Sequence, residues 1–250
     1  VTHMFSDLGI ELKVVDASER FLNHLSGVTD PEEKRKVIGE QFIRVFEDEQ
    51  EGCGAKFLVQ GTIAPDWIES GGGNRDVIKS HHNVGGLPED VDLVIVEPLR
   101  EFYKDEVRAI ARDLGIPSSE RQPFPGPGLA VRILGDITPD RIAACREACH
   151  IVETRLQDAA AEGRCELPWQ YFAALLPVRS VGVHGDARVH GETVVVRAVT
   201  SLDGMSAKFS EIPHDVLAEI STEITNSLKG QVNRVVYDIT HKPPGTIEWE

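Results

Sequence analysis

Leu93-Val-Ile-Val-Glu-Pro-Leu-Arg-Glu-Phe102, running on in a helical pattern to Leu114 and stopping at Gly115-Ile-Pro117, decides the fold class. Leu93 to Val96 reads as a buried strand. Phe102 to Leu114 reads as the helix behind it, closed by glycine and proline. The same rhythm lies upstream. Glu11 to Asp16 reads as a strand, and Pro31 to Glu49 carries Val37, Ile38, Phe42, Val45 and Phe46 at helical spacing. Phe57 to Thr62 is another buried-strand run, with Gly61 near its end. Strands alternating with helices predict an α/β fold with a parallel sheet flanked by helices. Ligands of such sheets sit beyond the carboxyl ends of the strands, which places Gln60-Gly-Thr62 and Glu97-Pro-Leu99 near a site.

The pattern changes at Gln122-Pro-Phe-Pro-Gly-Pro-Gly128, where proline and glycine leave no room for a regular element. Beyond it come a helix from Pro139 to about Glu162, strands at Pro177–His184 and Thr193–Thr200, a helix at His214–Leu228 and a strand at Asn233–Ile239. That is a smaller α+β unit. The expected domains are residues 1–125 and 126–250, and no internal repeat or low-complexity segment interrupts them.

A net charge of −15 argues against nucleic acid as a partner, since polyanion binding needs a basic face. No apolar run is long enough to span a bilayer, and no secretory leader opens the chain, so no membrane and a cytoplasmic location are expected. The chain enters at Val1, and Thr2 to Gly9 reads as the back half of a helix, so residues upstream are expected. An acidic surface whose bases lean towards arginine fits a salt-rich cytoplasm, where screening within about 3 Å at 1 M tolerates self-repulsion. An ordinary acidic cytosolic protein is the competing account, and unfolding on removal of salt separates the two. Cys53, Cys145, Cys149 and Cys165 form no Cys-x-x-Cys pair; Cys145 and Cys149, four apart on a helix, read as buried reduced thiols.

Asp66-Trp-Ile-Glu69 through Ser70-Gly-Gly-Gly73 to Lys79-Ser-His81-His82-Asn-Val-Gly85-Gly86 is the stretch richest in chemical groups. Two acids, a lysine and two histidines along a glycine-rich segment suit a lid that closes over substrate. Lys79 suits phosphate oxygens, while Asp66 and Glu69 suit Mg²⁺, which takes hard oxygen ligands. His81 and His82 are adjacent, point different ways and make poor joint zinc ligands; one buried and one exposed histidine without function is the alternative. Ser70 to Gly73 follows no strand and opens no helix, so it is loop and not a phosphate cradle.

Lys34-Arg35-Lys36 is a basic triplet near the start of a helix that Asp30 can cap. It offers an anion a landing place, or it is a solvated helix face. Arg179, Asp186 and Arg188 lie within and just past a strand; a guanidinium grips phosphate bidentately, and ion pairing between Asp186 and an arginine is the competing use. The chain closes on Ile239-Thr-His-Lys242-Pro-Pro-Gly-Thr-Ile247-Glu248-Trp-Glu250. Two prolines stiffen it, and Ile247 and Trp249 are costly to leave in water. It reads as a tail folded back into a pocket, with a docked edge strand as the alternative.

Together these motifs resemble the ATP-pyrophosphatase subunit of GMP synthetases. The likeness runs from Val15-Asp-Ala-Ser-Glu-Arg-Phe-Leu22 through Asp30 to Gly39, Gln60 to Ser70, Lys79 to Gly86, Pro123 to Leu129, Pro177 to Val183 and Asn233 to Asp238, to Lys242-Pro-Pro-Gly-Thr-Ile-Glu-Trp-Glu250. The resemblance implies an ATP-pyrophosphatase (adenine nucleotide alpha-hydrolase-like) domain lacking its N-terminal part, a lid at about 66–86 and a C-terminal dimerisation domain. It implies adenylation of xanthosine 5′-monophosphate (XMP) by ATP with Mg²⁺, then amination by ammonia from a separate glutaminase subunit, as in the archaeal two-subunit enzyme. Asp66, Glu69, Lys79, His81 and His82 would serve ATP and catalysis. Arg35, Asp186, Arg188, Lys242, Ile247 and Glu248 would hold XMP, with one subunit of a homodimer completing the other's pocket. The family's Ser-Gly-Gly-x-Asp-Ser phosphate loop is not in this sequence and is expected upstream of Val1; without it ATP binding should be poor. A catalytically incomplete, dimerising nucleotide-binding scaffold is the alternative function. NAD synthetase is a weaker one, because the closing motif and the Arg179 motif do not belong to it.

Overall fold

The computed structural model describes residues 12–64, 94–116, 121–202 and 204–250, without the side chains of 51–53. It divides into two compact units, one of Val1–His24 with Arg35–Arg121, the other of Leu25–Lys34 with Gln122–Glu250. Residues 25–34, expected in the first domain, thus belong to the second unit.

In the first unit helix α1 (Ser18–Leu25) lies against α2 (Pro31–Cys53). Arg20 donates to Gln41 at 2.8 Å and pairs with Asp48 at 2.5 Å, and Phe21 meets Phe42 edge-on with ring centroids 5.2 Å apart. Strands β1 (Phe57–Val59) and β2 (Val94–Val96) pair in parallel, Phe57 opposite Val94, and α3 (Lys104–Asp113) follows. The parallel pairing meets the expectation. The burial does not: Phe57, Val59, Val94 and Val96 are exposed. Continuous apolar runs are buried only where helices cover both faces of a parallel sheet, and among the described residues no helix covers these alternating positions. Residues 12–16, expected to lie in a strand, have no ladder partner and run as exposed coil.

The second unit is a four-stranded sheet covered by two helices. Strands β3 (Gln170–His184) and β4 (Ala187–Thr200) form a long antiparallel hairpin. The other edge of β4 takes β6 (Val232–Tyr237) in parallel and the two-residue β5 (Lys208–Phe209) antiparallel. Helix α4 (Pro139–Ala161) packs on β3 and on α5 (His214–Ser227), which packs on β6. Thr138 caps α4 by accepting from the Arg141 N–H, and Pro139 occupies its first turn. Val152, Leu156, Phe172, Leu175, Val194 to Val196, Val216, Ile220, Ile224 and Val232 are fully buried and form the core. The hairpin ladder shifts register between Leu176 and Arg179. Pro177 sits there with no N–H to give. No helix among the described residues is long and apolar enough to cross a membrane.

Candidate functional site

Asp30 opens α2 by accepting from the Glu33 N–H at 2.9 Å. Lys34, one residue further on, is fully buried, although lysine rarely is. Its ammonium donates to the Ile133 carbonyl at 2.8 Å and pairs at 2.5 Å with the Glu250 carboxylate, itself only 7% exposed. The second Glu250 oxygen accepts from the Gly135 N–H at 3.2 Å. Gly135 has φ of +83° and lies 3.4 Å, measured from an added Cβ, from Pro177, so only glycine presents its amide here without strain. The first base of the triplet is therefore committed to holding the closing segment.

Arg132 ends a 3-10 turn (Gly128–Arg132) set up by the proline- and glycine-rich loop. Its guanidinium is buried between the rings of Phe124 and Phe172, at 4.9 and 4.1 Å from their centroids. It grips Glu248 with two bonds, Nε to Oε2 at 3.1 Å and Nη2 to Oε1 at 2.8 Å. Gln170 adds a third, Nε2 to Oε1 at 2.8 Å. Burial alone would lower the Arg132 pKa, but the hydrogen bond and charge of Glu248 outweigh it and hold the guanidinium above its ordinary value.

Arg197, on β4, is the third buried cation. It donates to the carbonyls of Thr240 at 2.6 Å and Thr246 at 3.0 Å, and lies 3.4 Å from the Asp238 carboxylate. Asp238 also accepts from the Trp249 indole at 3.1 Å. Lys242 joins the sheet through paired backbone bonds with Ala207, and its ammonium donates to the Gly204 carbonyl at 2.8 Å. These contacts fix groups between 238 and 250 on the buried cations and on residues 204–207, and tie Trp249 back to Asp238. Lys242 pairs with Ala207 beside β5, as a docked edge would, and Glu248 and Glu250 fold back onto Arg132 and Lys34, whereas Trp249, expected to leave water, stays exposed because its indole reaches out to Asp238.

Lys242, Ile247 and Glu248 are gathered on this one segment, with Ile247 half-buried. Asp186 and Arg188 stand exposed at the turn of the β3–β4 hairpin. They lie at the far end of β4, because β6 runs parallel to β4 and delivers the closing segment beyond Val196. From Arg188 to Arg197 an extended strand advances roughly 30 Å at about 3.3 Å per residue, far more than a nucleoside monophosphate spans. Arg179 donates to the His190 carbonyl at 2.7 Å across the hairpin. Arg35 is half-buried on α2. Asp66, Glu69, Lys79, His81 and His82 lie outside the described residues. Gln60, at the carboxyl end of β1, is buried with its side-chain oxygen unpartnered.

Sequence reasoning missed Lys34, Arg132, Gln170 and Arg197 as partners of the tail. A lone arginine inside an apolar strand, as in Val194-Val-Val-Arg-Ala198, was the available signal. A buried guanidinium must be paired, and the closing segment carries the acids.

The fold and this arrangement define the class: an α/β protein whose closing segment is fixed on buried cations, with the Glu248 carboxylate partly reachable. Residues 157–249 match the family described as the GMP synthase C terminal domain. The whole chain is 56% identical to a subunit of the GMP synthase (glutamine-hydrolyzing) of Thermoplasma acidophilum, covering 79% of that protein. Over 98% of its length it is 56% identical to the like-named subunit of Thermococcus kodakarensis, covering 77% of it. Over 94% it is 56% identical to the GMP synthase (glutamine-hydrolyzing) of Clostridium perfringens, of which it covers 46%. The chain belongs to this family of GMP synthase subunits.

Proposed function

We propose that this chain carries out the synthetase chemistry of GMP formation. The C2 oxygen of XMP attacks the α-phosphorus of ATP and pyrophosphate leaves. Ammonia from a separate glutaminase subunit then adds at C2, AMP departs with that oxygen, and a proton passes to solvent. Identity of 56% across all 250 residues to a protein named for GMP synthesis is the observation that carries this reading.

The first unit is assigned the ATP-pyrophosphatase fold. Its parallel pair supports this, as does the orphaned Gln60 oxygen beyond the end of β1, a buried acceptor awaiting a donor. Lys79 binds the ATP phosphates and Asp66 and Glu69 supply oxygen ligands for Mg²⁺, which accompanies the nucleotide. His81 and His82 complete the lid over the reacting groups.

XMP is held by Arg35, Lys242, Ile247, Glu248, Asp186 and Arg188. Asp186 and Arg188 stand roughly 30 Å along β4 from the closing segment, so one chain cannot bring them and Lys242, Ile247 and Glu248 to one small ligand. The homodimer resolves this, each subunit lending its hairpin tip to the other's closing segment. The test mixes two inactive variants of the full-length protein, Arg188→Ala and Lys242→Ala. Random pairing gives dimers with one intact site, so AMP and GMP formation from ATP, XMP and ammonium should return to roughly a quarter of wild type. No recovery, with subunit exchange verified, would refute site sharing. Tight XMP binding by the wild type without any AMP formation would favour the scaffold.

A further inference from the structure

We infer that Arg132 and Gln170 are positioning residues for XMP recognition, because together they fix the plane of the Glu248 carboxylate. This rests on the reading of Glu248 as an XMP contact. A glutamate on a closing segment has three rotatable bonds and would otherwise lose rotamer freedom on binding ligand. Here the loss is met beforehand. The guanidinium is clamped between Phe124 and Phe172 and is 0% exposed, so its plane is set by packing. Its Nε and Nη2 lie on the two carboxylate oxygens, and Gln170 fixes Oε1 from a second direction.

The division of acceptor capacity matters. Oε1 receives two donors, at 2.8 Å each, whereas Oε2 receives one, from Arg132 Nε at 3.1 Å. An ionised carboxylate has about two lone-pair positions per oxygen, so Oε2 keeps one for an N–H or O–H of the ligand. Glu248 is 18% exposed, enough for that oxygen to be reached. Arg132 Nη1 is buried with no hydrogen-bond partner. An orphaned donor costs stability, and Arg141 Nη2 and Arg197 Nε are buried without a partner as well; the two bonds to Glu248 and the clamp of the two rings are what set the Arg132 plane.

Calorimetric titrations of XMP and of ATP into the full-length protein test this with Glu248→Gln, Arg132→Lys, Gln170→Met and Gln170→Glu. Arg132→Lys keeps the charge and loses the fork; Gln170→Met keeps the volume and loses the donor. Each should weaken XMP about 10-fold, one lost hydrogen bond, and leave ATP unchanged. Gln170→Glu sets two carboxylates together, which raises the pKa of the pair. As the pH falls, residue 170 protonates and donates to Oε1 again, so XMP affinity relative to wild type should recover. Gln170→Met should show no such recovery, and a merely structural role predicts none for either. If Glu248→Gln binds XMP as wild type does, the underlying reading of Glu248 fails. If Glu248→Gln weakens XMP but Gln170→Met and Arg132→Lys do not, the positioning role fails while that reading stands. Should Arg132→Lys not fold, the two Gln170 variants decide.

Discussion

Residues 238–250 and the hairpin tip at 184–190 sit at opposite ends of strand β4 and are built by opposite rules. In the closing segment Asp238, Glu248 and Glu250 each meet a buried cation: Arg197, Arg132 and Lys34. At the tip Asp186, Arg188 and His190 stand exposed, and Val181 and Val183 face solvent. One region holds its geometry by itself. The other is a two-stranded ribbon, a form with little stability of its own, and its exposed apolar and charged groups suit completion by a second copy. A shared XMP site would then join a rigid wall from one chain to an adaptable arm from another.

Stability puts the contrast to its severest trial. Glu250→Ala leaves the buried Lys34 ammonium without its counter-charge. Removing one member of a buried pair costs about 3–5 kcal/mol, and the thermal midpoint should fall by roughly 10 °C for a chain of this size. A midpoint within a degree of wild type would mean that Lys34 is solvated and the closing segment loosely held.

A smaller effect is expected where the arm leaves the sheet. Asn233 on β6 donates to the Ser180 carbonyl at 2.7 Å, and the Ser180 hydroxyl donates back to it at 2.9 Å. Its side chain fits because residue 182 has none: a Cβ there would come within 2.7 Å of the amide nitrogen. Gly182→Ala should cost about 1–3 kcal/mol as an overpacked contact. Hydrogen exchange should quicken in 178–190 and remain slow in 170–176. Equal acceleration in both halves of the hairpin would show that the arm is no separate unit.

Smaller still are the stability effects of Asp186→Asn and Arg188→Ala, expected to lie within about 0.5 kcal/mol as for other exposed positions. XMP affinity should nonetheless drop at least 10-fold, which separates a closing segment that holds the fold from an arm that binds. The least effect belongs to an ion-pair cluster outside both regions. Arg164 bonds Glu219 and Asp215, holding both carboxyls below their usual range. Because the folded values are lowered, the stabilisation is complete above the unfolded values near 4 and is lost as pH falls through the folded ones. Arg164→Ala should therefore lower the thermal midpoint slightly at neutral pH, the difference from wild type vanishing as the carboxyls protonate in acid, and 1 M salt should shrink it. A difference that persists undiminished in acid would contradict the assignment.

The helices were legible in the sequence because their signals are local. Pro139 with Thr138 before it, and Asp30 ahead of an apolar stripe, mark two helix starts without reference to the rest of the chain. Gln170 to Leu176 was missed as part of β3: buried from Gln170 to Leu175, it has no alternation to distinguish strand from helix. The exposure of β1 and β2 was unreadable for the converse reason, since a strand's own residues do not say whether helices will cover it. The closing segment announced itself by its prolines, Ile247 and Trp249. Its partners Lys34, Arg132 and Arg197 lie more than forty positions away in the chain, and only the fold brings them together. The order of the sheet, with β6 parallel to β4, separates Arg188 from Glu248. No pattern along the chain reveals that distance.

Residues 246–250 are proposed as a wall of the XMP site and not as a decoration of the fold. Calorimetry of XMP binding to the full-length protein, with the chain stopped after Gly245, measures this directly. XMP binding should fall by at least 100-fold, while ATP affinity stays near the wild-type value. Undiminished XMP affinity in the shortened, folded protein would contradict that role.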